Sequence, residues 1–289
     1  MMPYPPPTRS EWLAWSSFDF ANSGYTTVIL TAIYNGFFVS VIAPLHGFSA
    51  GESTLLWTVL LGFSHLVMLL ASPLLGVIAD QCGCKKTLLI ITTAGCVLST
   101  FMLALGGTNS LIICMVFLVL SSIFFSAGEN LIAAFLPELA PPDKMGKLSA
   151  MGWSIGYLGG IISLLLCLAY IDFGQKQGQT LQQLIPHTAI IVAILFSLAS
   201  LPTFLWLKER TLSQPLLTTP LFKTAYQQLI NRWHTLHQHP DFFRFLFTLT
   251  VYQCGIHTVI VLAAIYAQQV MQFTTEQTIV MILLVNFSA

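Results

Sequence analysis

Charge is what this sequence has least of. Asp, Glu, Lys and Arg together make up only 8% of its 289 residues, where a soluble domain carries roughly a quarter. A water-soluble chain of this length could not cover its surface with so few charges. Eleven basic residues balance eleven acidic ones, so no net field invites a nucleic-acid partner. Cysteine is sparse and scattered. Four of the six (Cys96, Cys114, Cys167 and Cys254) sit in apolar runs, a buried-thiol pattern that excludes a disulfide framework. Cys82 and Cys84 form a lone C-x-C with no nearby partners, too little for a metal site. The proline-rich start, MMPYPPPTRSEW, lacks the apolar stretch of a cleaved signal peptide. Paired acids at metal-ligand spacing, a nucleophile motif and a phosphate-cradling glycine loop are all missing. The chain therefore reads as a non-enzyme with no cofactor and no metal.

What is present is apolar surface. Hydrophobic residues make up 55% of the chain and the mean hydropathy is +0.78, so the lipid bilayer is its solvent. A spanning helix needs about 20 mostly apolar residues. Seven such runs occur, at 20–45, 53–79, 86–106, 110–136, 149–171, 184–207 and 242–267, and an eighth begins near 275. The expected organisation is a short N-terminus (1–19), a six-helix bundle (20–207), a polar linker (208–241) dotted with His234, His237 and His239, and the start of a second bundle (242–289). With the N-terminus cytoplasmic, ten basic residues fall inside (Arg9, Lys85, Lys86, Lys144, Lys147, Lys208, Arg210, Lys223, Arg232 and Arg244) and only Lys176 outside. The positive-inside rule selects that topology.

The chain also repeats itself. "SGYTTVI" at 23–29 returns as "CGIHTVI" at 254–260, with Gly24, Thr27, Val28 and Ile29 matched 231 residues later. "GESTLLWTVLLGFS" at 51–64 is echoed by "TEQTIVMILLVNFS" at 275–288. Both pairs keep the same direction across the membrane, which points to two six-helix halves related by an axis along the bilayer normal. On that logic the second half would run ~140 residues past Ala289, so the chain reads as a fragment or a truncated frame.

Between the second and third runs lies "GVIADQCGCKK", with Gly76, Asp80, Gly83, Lys85 and Lys86. Gly76 suits close helix approach, Gly83 a tight turn, and Asp80 a helix cap or a basic partner. This loop resembles the G-x-x-x-D-x-x-G-R-K gating motif of the major facilitator superfamily of secondary transporters, with Cys84 where that motif has arginine. "FDFANSGYTTVILTAIY" at 18–34, "AAFLPELAPPDKMGKLSAMGWSIGYLGG" at 133–160 and "GIHTVIVLAAIYAQQV" at 255–270 resemble the vacuole-effluxer branch of that superfamily. The resemblance implies an all-α polytopic membrane protein: an N-terminal six-helix half plus the first one or two helices of the second. It also implies a transporter moving a small polar solute by alternating access, with amino-acid efflux the best-known activity. The expected location is the bacterial inner (plasma) membrane, with lipid, a small solute and protons as partners. The rivals are a membrane sensor or assembly protein that kept the fold without transport, a truncated transporter without function, and a membrane-embedded lipid enzyme.

Polar side chains inside the spans are the candidate pathway, because each is costly unless it meets a partner or a water-filled cavity. Glu129, followed by Asn130, is an acid inside the fourth run. It reads as a proton carrier or a binder of an ammonium group, or else as a carboxyl that stays protonated or snorkels outward. His65 and His257 lie mid-run in the second and seventh and serve either a proton relay or an interhelical hydrogen bond. Asn22 and Gln253 are repeat equivalents; they line a cavity or bond between helices. Tyr25 and Thr26 share the Asn22 stretch. Asp19 stands at the start of the first run as an N-cap or a functional acid. Gly152, Gly156 and Gly160 recur every fourth residue and form one stripe for helix packing.

Overall fold

The computed structural model describes residues 7–107, 110–210, 226–227, 230 and 238–288. Within them all regular structure is helical. Most of the expected linker, with Lys223, Arg232, His234 and His237, lies outside the described residues. Eight helices follow in order: α1 Arg9–Leu45, α2 Ala50–Cys82, α3 Lys85–Gly106, α4 Leu111–Leu139, α5 Pro142–Lys176, α6 Leu181–Trp206, α7 Pro240–Gln269 and α8 Thr275–Ser288. The first seven are long and apolar enough to cross a bilayer. Several overrun the apolar windows: α5 has 35 residues, about 50 Å at 1.5 Å per residue, against a hydrocarbon core of about 30 Å.

Local chemistry sets the boundaries. α1 starts at a capping box: the Thr8 hydroxyl accepts from the Glu11 amide, and the Glu11 carboxylate accepts from the Thr8 amide. Two free amide donors are satisfied at once, and the helix begins eleven residues before the expected span. Ser49 and Glu52 do the same for α2. Gly83, at φ 56°, ends α2 in the left-handed region, which glycine enters without a Cβ clash. The regular part of α4 stops at Ala133, one further turn covers Leu136–Leu139, and Pro142 opens α5, where its missing amide hydrogen costs nothing.

α1 is the axis of the bundle. It packs against α5 and α6, while α3 lies on α4 and α6, and α2 on α4. Its core face carries Trp15, Phe18, Tyr25, Ile29, Ile33 and Phe38, all buried. Phe18 meets Phe196 edge-on at 5.9 Å and Tyr25 stacks on Phe125 at 4.7 Å. The α1 backbone widens into π-helix at Thr26–Ala32 and Phe38–Ile42, an insertion common at functional sites. The outward faces stay apolar, with Leu69, Leu70 and Ile112 more than two-thirds exposed, as a lipid-facing wall requires.

α7 joins this bundle only by its C-terminal half. The Asn35 amide donates to the Val261 carbonyl at 2.8 Å, and the Ser40 and Thr54 hydroxyls donate to Gln268 and Gln269 at 3.3 Å. Its N-terminal half, from Pro240 through Val259, is exposed at nearly every position. α8 packs on α5.

Candidate functional site

Polar side chains gather inside the bundle where α1 runs along α5 and faces α4. Small residues make the approach possible. Gly152, Gly156, Gly159 and Gly160 of α5 form the seat for Asp19, Phe20, Ser23 and Thr27 of α1. A Cβ on Gly159 would press on the Phe20 backbone, with its Cα at 2.7 Å. The tightest contact with backbone therefore falls one residue off the four-residue stripe. A Cβ on Gly156 would meet the Ser23 hydroxyl at 2.8 Å, and one on Gly160 would meet the Thr27 hydroxyl at 3.0 Å and the Asn286 amide oxygen of α8 at 3.6 Å. α1, α5 and α8 thus meet around one backbone position.

Asp19 is not a helix cap. The cap is Thr8, and Asp19 sits mid-helix, its carboxylate against Gly152 and Trp15. Its charge bears on Glu129 of α4, and Glu129 lies beside Cys96 of α3. Glu129 and Asn130 are both accessible from outside the protein, yet Glu129 is hemmed by groups from α1 and α3. Among the described residues neither carboxylate has a hydrogen-bond or ion-pair partner. Two unpartnered acids inside an apolar bundle are costly, which makes the place the candidate site.

The other candidates separate. Asn22, one turn from Asp19, is buried and its side-chain oxygen has no partner. The Thr26 hydroxyl donates to the Asn22 carbonyl at 3.0 Å. Tyr25 is fully buried and its hydroxyl donates to Ser121 at 2.8 Å, so it is engaged inside the bundle. His65 is exposed, with Nδ1 donating to the Leu61 carbonyl at 2.8 Å. Gln253 and His257 lie on the exposed half of α7. The repeat-related amides Asn22 and Gln253 therefore occupy unlike surroundings.

A second polar assembly holds the end of the bundle where Arg9, Lys85 and Lys86 cluster. Lys85 bridges Glu138 at 2.9 Å and Asp80 at 3.2 Å. The Glu209 carboxylate accepts from the Lys85 and Lys86 amides at 2.6 and 3.3 Å, so it, not Asp80, caps α3. Burial, its largest influence, raises Glu209 above the ordinary carboxylate value. Arg210 makes a forked pair with Glu11 at 2.8 and 2.9 Å, both side chains being buried. Its amide donates to Glu138 at 3.1 Å. The loop motif is thus one corner of a brace joining α1, α2, α3, α4 and the segment after α6. Gly76 takes no part in close packing: a Cβ there would meet nothing within 4 Å. The contribution of Glu11, Glu138 and Glu209 was hidden in the sequence, because their partners lie 53 to 199 residues away.

Comparison with known proteins accords with this architecture. A curated relative, the "Uncharacterized MFS-type transporter YxiO" of Bacillus subtilis (strain 168), is 28% identical over 257 residues. The aligned region is 88% of this chain and 59% of the relative, so the chain spans under two-thirds of the relative's length. No solved structure matches the chain. The model of the family described as "Vacuole effluxer Atg22 like" matches residues 52–147 and 143–289. Seven bilayer-length helices, a charged loop between the second and third, and that match over most of the sequence place the chain in the Atg22-like vacuole effluxer family of the major facilitator superfamily.

Proposed function

We propose that the protein is a secondary active transporter that moves a small polar solute, with an amino acid as the favoured cargo, by alternating access. The observation that carries this reading is the unpartnered acid pair, Asp19 on α1 and Glu129 on α4. Two neighbouring carboxylates in an apolar setting repel, and a proton or a substrate ammonium group between them relieves the repulsion. Asn130 and Asn22 stand beside them as amide donors for a carboxylate. A solute with both groups fits that chemistry.

The uneven docking of α7 supports a rocking mechanism. α1 and α7 touch through Asn35, Ser40 and Gln268 at one end and diverge at the lysine-rich end. With the N-terminus inside, as the positive-inside rule favours, these α1–α7 contacts lie towards the outer end of the bundle. Cargo exchange then requires separation of the Asn35–Val261 and Ser40–Gln268 contacts. The location that follows is the plasma membrane of a bacterium, with many passes and a cytoplasmic N-terminus.

The test is counterflow of radiolabelled amino acids in proteoliposomes containing the purified protein. Wild type is expected to exchange label for unlabelled solute, and Glu129→Gln to lose at least ten-fold in rate. Equal exchange by the two proteins would remove the acid pair from the mechanism.

A further inference from the structure

The loop between α2 and α3 holds two thiols that the transport reading leaves unused. Cys82 is the last residue of α2, Gly83 turns the chain at φ 56°, and Cys84 is the cap residue of α3. This left-handed turn at Gly83 sets Cys82 and Cys84 two residues apart on one tight bend, near enough for each sulfur to bear on the other. Cys82 is exposed and Cys84 partly so, whereas Cys96, Cys114 and Cys167 are buried. The Cys84 thiol also lies 3.7 Å from the Ile78 carbonyl, a weak contact that is readily given up. Among the described residues no group of three or more His, Cys, Asp or Glu could hold a metal ion, and a structural zinc site takes four ligands. The pair is therefore a dithiol rather than half of a metal centre.

We infer that Cys82 and Cys84 form a reversible redox switch, closing to a disulfide in exchange with a low-molecular-weight disulfide such as glutathione disulfide. The Cys82 thiolate attacks one sulfur of the small disulfide, giving a mixed disulfide and releasing one small thiol. The Cys84 thiol then attacks Sγ of Cys82 and releases the second. One protein disulfide forms, one small disulfide is reduced to two thiols, and no other oxidant is needed. Burial, ahead of the neighbouring sulfur, raises the Cys84 thiol above its ordinary value, which leaves the exposed Cys82 to react first. Flanking Cys residues separated by one glycine keep the second thiol within reach of the first.

The position gives the bridge a consequence. Lys85, next in the chain, ties Asp80 to Glu138 and offers its amide to Glu209. A covalent link across Gly83 fixes the turn that carries all of these contacts. In a reducing compartment such bonds are transient and regulatory, which suits a loop on the cytoplasmic side. The switch itself does not depend on which solute is moved.

The test is mass spectrometry of the purified protein in lipid nanodiscs after incubation with glutathione disulfide, followed by maleimide trapping. The expected result is a peptide containing residues 82–84 that has lost two hydrogens and binds no maleimide, with both labels restored by dithiothreitol. Cys82→Ser and Cys84→Ser should each hold a glutathione adduct instead. A wild-type protein that stops at the adduct, or keeps both thiols free, overturns the proposal. Protection of the reduced pair by zinc alone, reversed by a chelator, also overturns it in favour of a metal site.

Discussion

α1 and α7 carry the same short phrase and live in different surroundings. In α1, 78% of the most apolar window is buried; in α7, none of it is. Gly24 faces the Ser163 hydroxyl of α5, whereas its counterpart Gly255 has nothing within 4 Å. Thr27 is buried, while Thr258 turns its exposed hydroxyl back to the Cys254 carbonyl. The phrase widens into π-helix in α1 and stays regular α-helix in α7. Local sequence sets helix formation in both. Among the described residues the α1 copy meets packed neighbours that the α7 copy does not.

Substitutions can break or sharpen this contrast. The largest effect is expected at the α1 anchor. Glu11→Ala leaves Arg210 buried without its partner, and losing one side of a buried pair costs about 3–5 kcal/mol. Thermal unfolding in detergent should show a clear fall in the midpoint, partly recovered by adding Arg210→Ala. A smaller loss, about 1–3 kcal/mol, is expected for Gly159→Ala, because the new Cβ meets the Phe20 backbone, which cannot rotate away. The matching change on the other helix, Gly255→Ala, meets open space and should stabilise α7 by up to about 1 kcal/mol through helix propensity. A destabilised Gly255→Ala protein would show that α7 is packed where the structure leaves it open. Asp241→Ala, which removes the exposed α7 ion pair with Arg244 at 3.5 Å, should leave the midpoint unchanged.

Much of the fold was legible in the sequence because lipid imposes a simple rule: about 20 apolar residues make a span. That rule found all seven crossing helices and the start of the eighth. It missed where the helices begin. The Thr8-x-x-Glu11 box is written in the sequence, but it precedes the apolar window and so α1 starts at Arg9. The same misreading left a cap open as one role for Asp19, which is a mid-helix acid whose charge bears on Glu129. The glycine stripe marked a packing face on α5 without naming its partner, and a four-residue period could not single out Gly159, whose closeness depends on how α1 and α5 cross. The brace of Glu11, Arg210, Glu138, Lys85 and Glu209 was the least legible part. Each of these charges looks like an ordinary loop residue until folding joins segments far apart in the chain.

The central claim is that the Asp19–Glu129 pair couples solute movement to protons. Its most direct test is solute-induced proton movement in proteoliposomes, read with a pH-sensitive dye, for wild type, Glu129→Gln and Asp19→Asn. The account predicts a proton signal when solute is added to wild type, and its loss in Glu129→Gln even where solute exchange persists at a reduced rate. A wild-type signal that survives in both variants would contradict it.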